Sequence, residues 1–225
     1  MSAMLPIWAM VPVKETSGAK QRLAAIASQS FRRDLALAML EDVLAALAGA
    51  RGLAGILIVT IDEAALRLAA RYGAVASDDS ACAGHSAAVA GAARRLVAEG
   101  AAMLTMPGDV PLATAAEIER VIEAHRRGAS FAIVPARDER GSNAILCAPA
   151  DRVALRFGDD SFFPHLAAAR ADGIEPEILR LPGIGLDIDT PDDLAAFLTR
   201  PSRTRTRALL DATDIGLRRE TGSAA

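Results

Sequence analysis

The stretch Ile7-Trp8-Ala9-Met10-Val11-Pro12-Val13, running on into Lys14-Glu15-Thr16-Ser17-Gly18-Ala19-Lys20-Gln21-Arg22-Leu23, decides how the rest of the chain is read. Seven apolar residues in an unbroken run fit a strand covered on both faces, because a strand with one wet face would alternate. A polar turn with one glycine and three cations follows at once. A buried strand that empties into such a turn is the opening unit of a parallel sheet with helices on its faces.

The same rhythm continues outward. Apolar runs at residues 55–60, 74–76, 102–106 and 130–134 predict four more strands, and shorter ones follow at 144–147 and 177–181. Between the first two, Phe31, Leu35, Met39, Val43 and Leu47 recur every four residues, a helical stripe facing the sheet, with Ser28 or Ser30 as its cap. Further helices fit residues 63–71, 86–98 and 115–127, and Gly100 and Gly128 stand where helices end. Residues 157–165 read as a loop entering a helix, and Pro191 suits the first position of a last core helix reaching Leu198. The fold class is α/β: one Rossmann-like domain over residues 1–200, a mostly parallel sheet covered by helices. Residues 201–225, rich in Arg, Thr and Ser, are expected to form a peripheral tail, a helix and then a disordered end.

Composition narrows the function. The chain has 225 residues, 52% of them hydrophobic, enough for one substantial core. A formal net charge of -3 speaks against a broad nucleic-acid-binding face. No apolar run is long enough to span a bilayer, and the first nine residues lack the features of a signal peptide, so a cytoplasmic protein is expected. Cys82 and Cys147 are far apart in apolar surroundings and read as two reduced thiols, while His85, His125 and His165 are scattered, so zinc is not expected. Of 25 basic residues only Lys14 and Lys20 are lysine, and both lie in the opening turn. Lysine acts on phosphate as a compact point charge, a task distinct from that of the arginines used elsewhere.

Chemistry-bearing residues gather in a few segments. The first loop places Gly18, Lys20 and Arg22 at the carboxyl edge of the sheet, where open α/β folds bind ligands, yet it is neither a P-loop nor a dinucleotide fingerprint. Met106-Pro107-Gly108-Asp109-Val110-Pro111-Leu112 presents one carboxylate straight after a buried strand. That suits a magnesium ligand, with a helix cap as the plain alternative, a role Thr114 fills as well. Asp187 and Asp189 alternate on an extended segment and so share a face, as a metal pair would, whereas Asp192 and Asp193 fit the first turn of a helix and its dipole. Arg140-Gly141-Ser142-Asn143 with Phe157-Gly158-Asp159-Asp160-Ser161-Phe162 offers donors to an anion or merely caps a helix that includes His165. Gly84-His85-Ser86 opens a helix where a nucleotide base could be read.

Taken together, V-P-V-K…A-K-Q-R-L, M-P-G-D-V-P-L, R-G-S-N…F-G-D-D-S-F and L-D-I-D-T-P-D-D-L resemble the guanylyltransferases of deazaflavin coenzyme (coenzyme F-420) biosynthesis, in order from about Trp8 to Leu198. The resemblance implies a nucleotidyltransferase fold like that of nucleotide-diphospho-sugar transferases. It also implies a reaction: GMP from GTP is joined to phosphoenolpyruvate, 3-phospho-D-glycerate or 2-phospho-L-lactate, with release of pyrophosphate. Carried over residue by residue, Lys20 and Arg22 are the catalytic cations, and Pro12, Val13, Lys14, Gly18, Gly84 and Ser86 hold the nucleotide. Ser142, Asn143, Gly158 and Ser161 hold the phosphorylated acid; Asp109, Asp187 and Asp189 hold Mg2+. Where many members read Gly-Leu-Asn, this chain has Gly84-His85-Ser86, and where some read Gly-Thr-Gly-Thr-Thr it has Arg140-Gly-Ser-Asn. The partners implied are GTP and a small phosphorylated carboxylic acid, with neither nucleic acid nor membrane; a homodimer is left open. The rival readings are a molybdopterin CMP or GMP transferase, a sugar transferase using Asp187-x-Asp189, and a nucleotide-binding module without catalysis.

Overall fold

The computed structural model describes residues 4–78, 81–158 and 160–213, the side chain of Cys82 excepted. The chain begins with β1 (Ile7–Pro12), α1 (Gln29–Gly49), β2 (Leu53–Val59), α2 (Glu63–Ala70), β3 (Val75–Ser77), α3 (His85–Ala98) and β4 (Ala102–Thr105). It continues through α4 (Ala115–Arg126), β5 (Phe131–Pro135), β6 (Ser142–Cys147), α5 (Phe162–Ala171), β7 (Glu177–Ile178), α6 (Pro191–Leu198) and α7 (Arg205–Asp211). One sheet orders them β3-β2-β1-β4-β6-β5-β7. Every pairing is parallel except those of β6, which runs antiparallel to both β4 and β5.

Strand alternation divides the core into two faces. Ile7, Ala9 and Val11 of β1 point with Ile56 and Ile58 of β2 toward Leu40, Val43, Leu44 and Leu47 of α1 and Ile118 and Ile122 of α4. Met10, Leu57, Val59 and Met103 point the other way, onto Val89, Ala92 and Leu96 of α3. Trp8 lies over Gly55, its register partner on β2, and a Cβ at that glycine would run into the indole. α5 covers Phe131, Ile133, Ile145 and Cys147.

The caps are local and satisfied. Ser28 accepts from Phe31 N, Thr114 from Glu117 N, and Thr190 with Asp193 forms a capping box behind Pro191. Asp193 therefore belongs to the helix start, as its place in the sequence suggested, and Thr114, not Asp109, caps α4. The last strand, Glu177–Ile178, is shorter than expected, its bonding to β5 ending with Leu179 N–H donating to Ile133 C=O. Cys147 is buried and free, and burial pushes its thiol up to about 11. No helix among the described residues is long and apolar enough to cross a membrane.

The segment read as a peripheral tail includes α7, which packs on α1. Thr206 is fully buried, and Leu210 joins Leu23, Leu35, Met39, Ile188 and Phe197 in one apolar cluster. The expectation of disorder concerns residues 214–225, which lie outside the described residues.

Candidate active site

β1, β2 and β4 end on the same edge, and the loops leaving β1 and β4 border a cavity of about 650 Å³. Pro12, Val13, Lys14, Gly18 and Lys20 line it from the first loop, Asp109 from the turn after β4, and Asp189 from the far end of the chain. Asp189 also borders a second cavity of about 410 Å³, lined by Arg22, Arg137 and Arg140 together with Asp138, Asp187, Asp192 and Asp193, and by Gly141 and Gly158. The two cavities thus share Asp189.

Lys20 sits at that junction. Its Nζ donates to Asp109 Oδ2 and to Asp189 Oδ1, each at 2.6 Å, and its side chain is only 8% exposed. Burial disfavours its charge, but the two carboxylates outweigh that and raise its pKa above the usual lysine range. The backbone of Lys20 is left-handed, φ 53°, a conformation rare for a residue with a Cβ. Such strain persists where the surroundings over-determine it. Here the 3₁₀ turn Gln21–Leu23 follows immediately, and Leu23 is wholly buried in the cluster beneath α1. Arg32 of α1, itself buried, donates to the carbonyls of Ala19 and Ala27, and Gln29 donates to that of Ser17.

The acids are held just as firmly. Ile188 N–H donates to Asp109 C=O at 3.1 Å, joining the two acid-bearing turns through their backbones. Glu117 accepts the N–H groups of Gly183 and Ile184, and Asn143 Nδ2 donates both to Ile184 C=O and, at 3.0 Å, to Asp187 Oδ1. Burial, reinforced by the nearby Asp109, pushes Asp187 up to about 6 against the Asn143 hydrogen bond. Asp189 is half-exposed; partial desolvation opposes its charge, yet Lys20 holds its carboxyl below the usual range. Asp109 Oδ1 is buried without a hydrogen-bond partner. Among the described residues no three His, Cys, Asp or Glu side chains form a group able to hold a metal by themselves.

The remaining candidates fall into place unevenly. Gly158 lines the second cavity, but Ser142, Asn143 and Ser161 are buried behind its wall, 8%, 5% and 4% exposed. His165 Nε2 accepts from Arg156 N–H, so in the neutral ring Nδ1 bears the proton and donates to Ser142 Oγ at 2.9 Å. Ser161 Oγ approaches the same oxygen at 3.4 Å. Burial, with His85 adding to it, lowers the His165 pKa to about 4. Gly84, at φ 95°, borders a smaller recess beside Val13, Lys14 and Ile61, whereas the Ser86 hydroxyl is spent on the backbone of Phe157. His85 lines the main cavity and stacks on Phe157, ring centroids 4.4 Å apart. Arg32, Glu117 and the holding role of Asn143 were not foreseen, since no local spacing announces a contact made across the fold.

A Rossmann-like sheet whose carboxyl edge joins a lysine-bearing loop to acids and to a second cavity lined by arginines and aspartates defines a nucleotidyltransferase architecture. The chain covers 95% of itself and 97% of a crystal structure from Desulfovibrio desulfuricans G20, described provisionally as a nucleotide-diphospho-sugar transferase, at a TM-score of 0.73 and 21% identity. A nucleotidyl transferase from Methanothermobacter superposes over 94% of this chain and all of that one, TM-score 0.59 and 16% identity. These likenesses fix the fold. Residues 7–225 match the family described as guanylyl transferase CofC like, and the chain belongs to that family. Among its relatives, phosphoenolpyruvate guanylyltransferases of Conexibacter woesei and Rubrobacter xylanophilus are each 38% identical over 192 residues. The alignments cover 84% and 85% of this chain, and 86% and 93% of those proteins. The chain is thus a nucleotide-using guanylyltransferase.

Proposed function

We propose that this protein transfers GMP from GTP to a phosphorylated three-carbon acid in a magnesium-dependent reaction of coenzyme F-420 biosynthesis, with phosphoenolpyruvate as the first acceptor to test. The observation that carries the reading is Lys20, held between Asp109 and Asp189 where the two cavities meet. The larger cavity, lined by Pro12, Val13, Lys14 and Gly18, takes the nucleotide, with Gly84 on the recess beside Val13 and Lys14; the second, with Arg22 and Arg140, takes the acid.

An acceptor phosphate is already ionised near neutral pH, so its oxygen attacks the α-phosphorus of GTP without a strong base. The bond from that phosphorus to the bridging oxygen breaks, and pyrophosphate leaves. Positioning and charge neutralisation then supply the catalysis. Lys20 and Arg22 offset charge gathering on the phosphates, while Lys14 supports the rim of the loop. Ser142 and Ser161 shape the wall behind Gly158, and Asn143 fixes Asp187.

Magnesium is supported by the chemistry of the acids, as an ion shared between one or two carboxylates and the substrate phosphates. The buried, partnerless Asp109 Oδ1 needs a cation or donor; Asp187 is near enough to feel the Asp109 charge, and Asp189 is joined to Asp109 through Lys20. Magnesium commonly takes one or two carboxylates together with substrate phosphates, so a closed protein cage is not required. When bound, the ion neutralises phosphate charge and orients the triphosphate.

Incubating the protein with magnesium, each nucleoside triphosphate and a panel of phosphorylated three-carbon acids tests the reading by pyrophosphate release. Release with GTP and one acid is expected. Tight GTP binding without release in any combination would leave a binding module instead.

A further inference from the structure

We infer that Asp62, which lines neither cavity, is a positioning residue for the nucleotide loop, acting through Thr16; this rests on the reading of the larger cavity as the GTP site. Asp62 stands at the end of β2 as the N-cap of α2, and its Oδ1 accepts from Ala64 N–H and Ala65 N–H, both at 2.9 Å. A cap needs no more than that. Its other oxygen, Oδ2, reaches across to a residue 46 positions earlier and accepts twice from it, from Thr16 N–H at 2.8 Å and Thr16 Oγ1 at 2.6 Å.

Thr16 opens the 3₁₀ turn Thr16–Gly18, the part of the loop that lies on the cavity, and is 3% exposed. Among the described residues Asp62 is the partner of both its N–H and its hydroxyl, and burying those donors unpaired would be costly. Asp62 is itself fixed from behind. Its own N–H donates to Thr60 Oγ1, and Thr60 N–H donates to Ser77 C=O at the end of β3. The loop from β1 is thereby tied to the ends of β2 and β3. Lys14, Gly18 and Lys20 all lie within four residues of Thr16, so the tie sets where they meet a triphosphate. Both oxygens of a single ionised carboxylate are used, four acceptor contacts in all, and the Thr16 bonds favour the charged form.

The side-chain chemistry makes the two duties separable. Asp62→Asn keeps one carbonyl oxygen for the cap amides but turns an NH₂ toward the Thr16 donors. Thr16→Val keeps the shape of the buried side chain and loses only the hydroxyl, while Thr16→Ser restores it. The experiment measures KM for GTP and for the acceptor, the calorimetric Kd for GTP with magnesium, and Tm, on the full chain. Asp62→Asn and Thr16→Val should raise the GTP KM and Kd about tenfold, the scale of one hydrogen bond to a charged group. The acceptor KM should stay within about twofold, and Thr16→Ser should bind GTP nearly as the unmodified protein does. GTP KM and Kd unchanged in both variants, with only Tm lowered, would reduce Asp62 to a helix cap and overturn the inference. Failure of the unmodified protein to bind GTP at all would overturn the GTP-site reading, and the inference with it.

Discussion

The N–H of Ile188 donates to the carbonyl of Asp109, 79 residues earlier, at 3.1 Å. Through that single bond the turn after β4 and the strand-like segment carrying Asp187 and Asp189 hold one register, whatever their side chains do. Glu117 and Asn143 clamp the approach to this segment from two further elements, so the acids meet Lys20 without having to find each other. Catalysis by charge placement depends on such fixed geometry.

Lys20→Met should therefore lower kcat by roughly 10²–10³-fold, the scale seen when one charge-stabilising donor is removed from a site of this kind. Lys20→Arg should rescue little, because a planar fork cannot take the place of an ammonium seated 2.6 Å from both carboxylates. Pyrophosphate release measures the rate, and far-ultraviolet circular dichroism checks the fold. A Lys20→Met protein with near-normal turnover would remove Lys20 from the chemistry.

Asn143→Ala should act through Asp187. It frees the carboxylate and the Ile184 carbonyl together, and removal of a residue that orients a metal-site ligand typically costs 10–100-fold. The expected signature is a higher magnesium concentration for half-maximal rate, with GTP binding in magnesium-free buffer little changed. If Asn143 instead touched the acceptor, acceptor KM would rise and the magnesium response would not move.

Much of this was legible beforehand, and the rest was not, for definite reasons. Unbroken apolar runs announced β1, β2, β4 and β5, and the period of α1 was plain from Phe31 to Leu47, because burial on both faces leaves no room for polar residues. Pro191 and Thr114 marked helix starts through short-range chemistry. The antiparallel insertion of β6 between β4 and β5 left no such mark, since strand order depends on contacts remote in sequence. Gly18, Lys20 and Asp109 were readable in the turns after strands, and Asp187 and Asp189 as an alternating pair on an extended segment. The left-handed Lys20 and the tie from Thr16 to Asp62 were not, because each is imposed by the packed surroundings. Asp62 drew no reading of its own from the sequence.

His165 gives the protein a pH dependence of stability with a defined sign. Its folded pKa, about 4, lies below the ordinary value of 6.5, because burial disfavours the charged ring. The unfolded chain therefore takes up the proton first. This contribution is fully present above about pH 6.5, is lost as pH falls, and levels off below about 4. Its size is on the order of 3 kcal/mol at most. Urea unfolding at pH 7 and pH 5 should show a smaller loss for His165→Gln than for the unmodified protein. Equal losses would mean that His165 does not govern the acid limb.

The last prediction concerns where the folded unit ends. Asp42 of α1 accepts from Arg205 N–H at 2.8 Å, Thr206 N–H at 2.9 Å and Thr206 Oγ1 at 2.7 Å, capping α7 from another helix. Leu210 then enters the cluster that also buries Leu23, the residue anchoring the turn after Lys20. Thr206→Val should cost about 1–2 kcal/mol, a buried hydrogen bond with its acceptor left short of one donor. A chain cut after Arg200 loses the whole contact and exposes apolar atoms of α1, so it should lose more, about 2–5 kcal/mol. Because Leu23 shares the exposed cluster, the truncated chain should also bind GTP more weakly even at temperatures where it stays folded. Unfolding midpoints in urea and calorimetric GTP binding measure both effects. A chain ending at residue 200 that matched the full protein in stability and GTP affinity would make α7 dispensable and put the boundary where composition alone placed it.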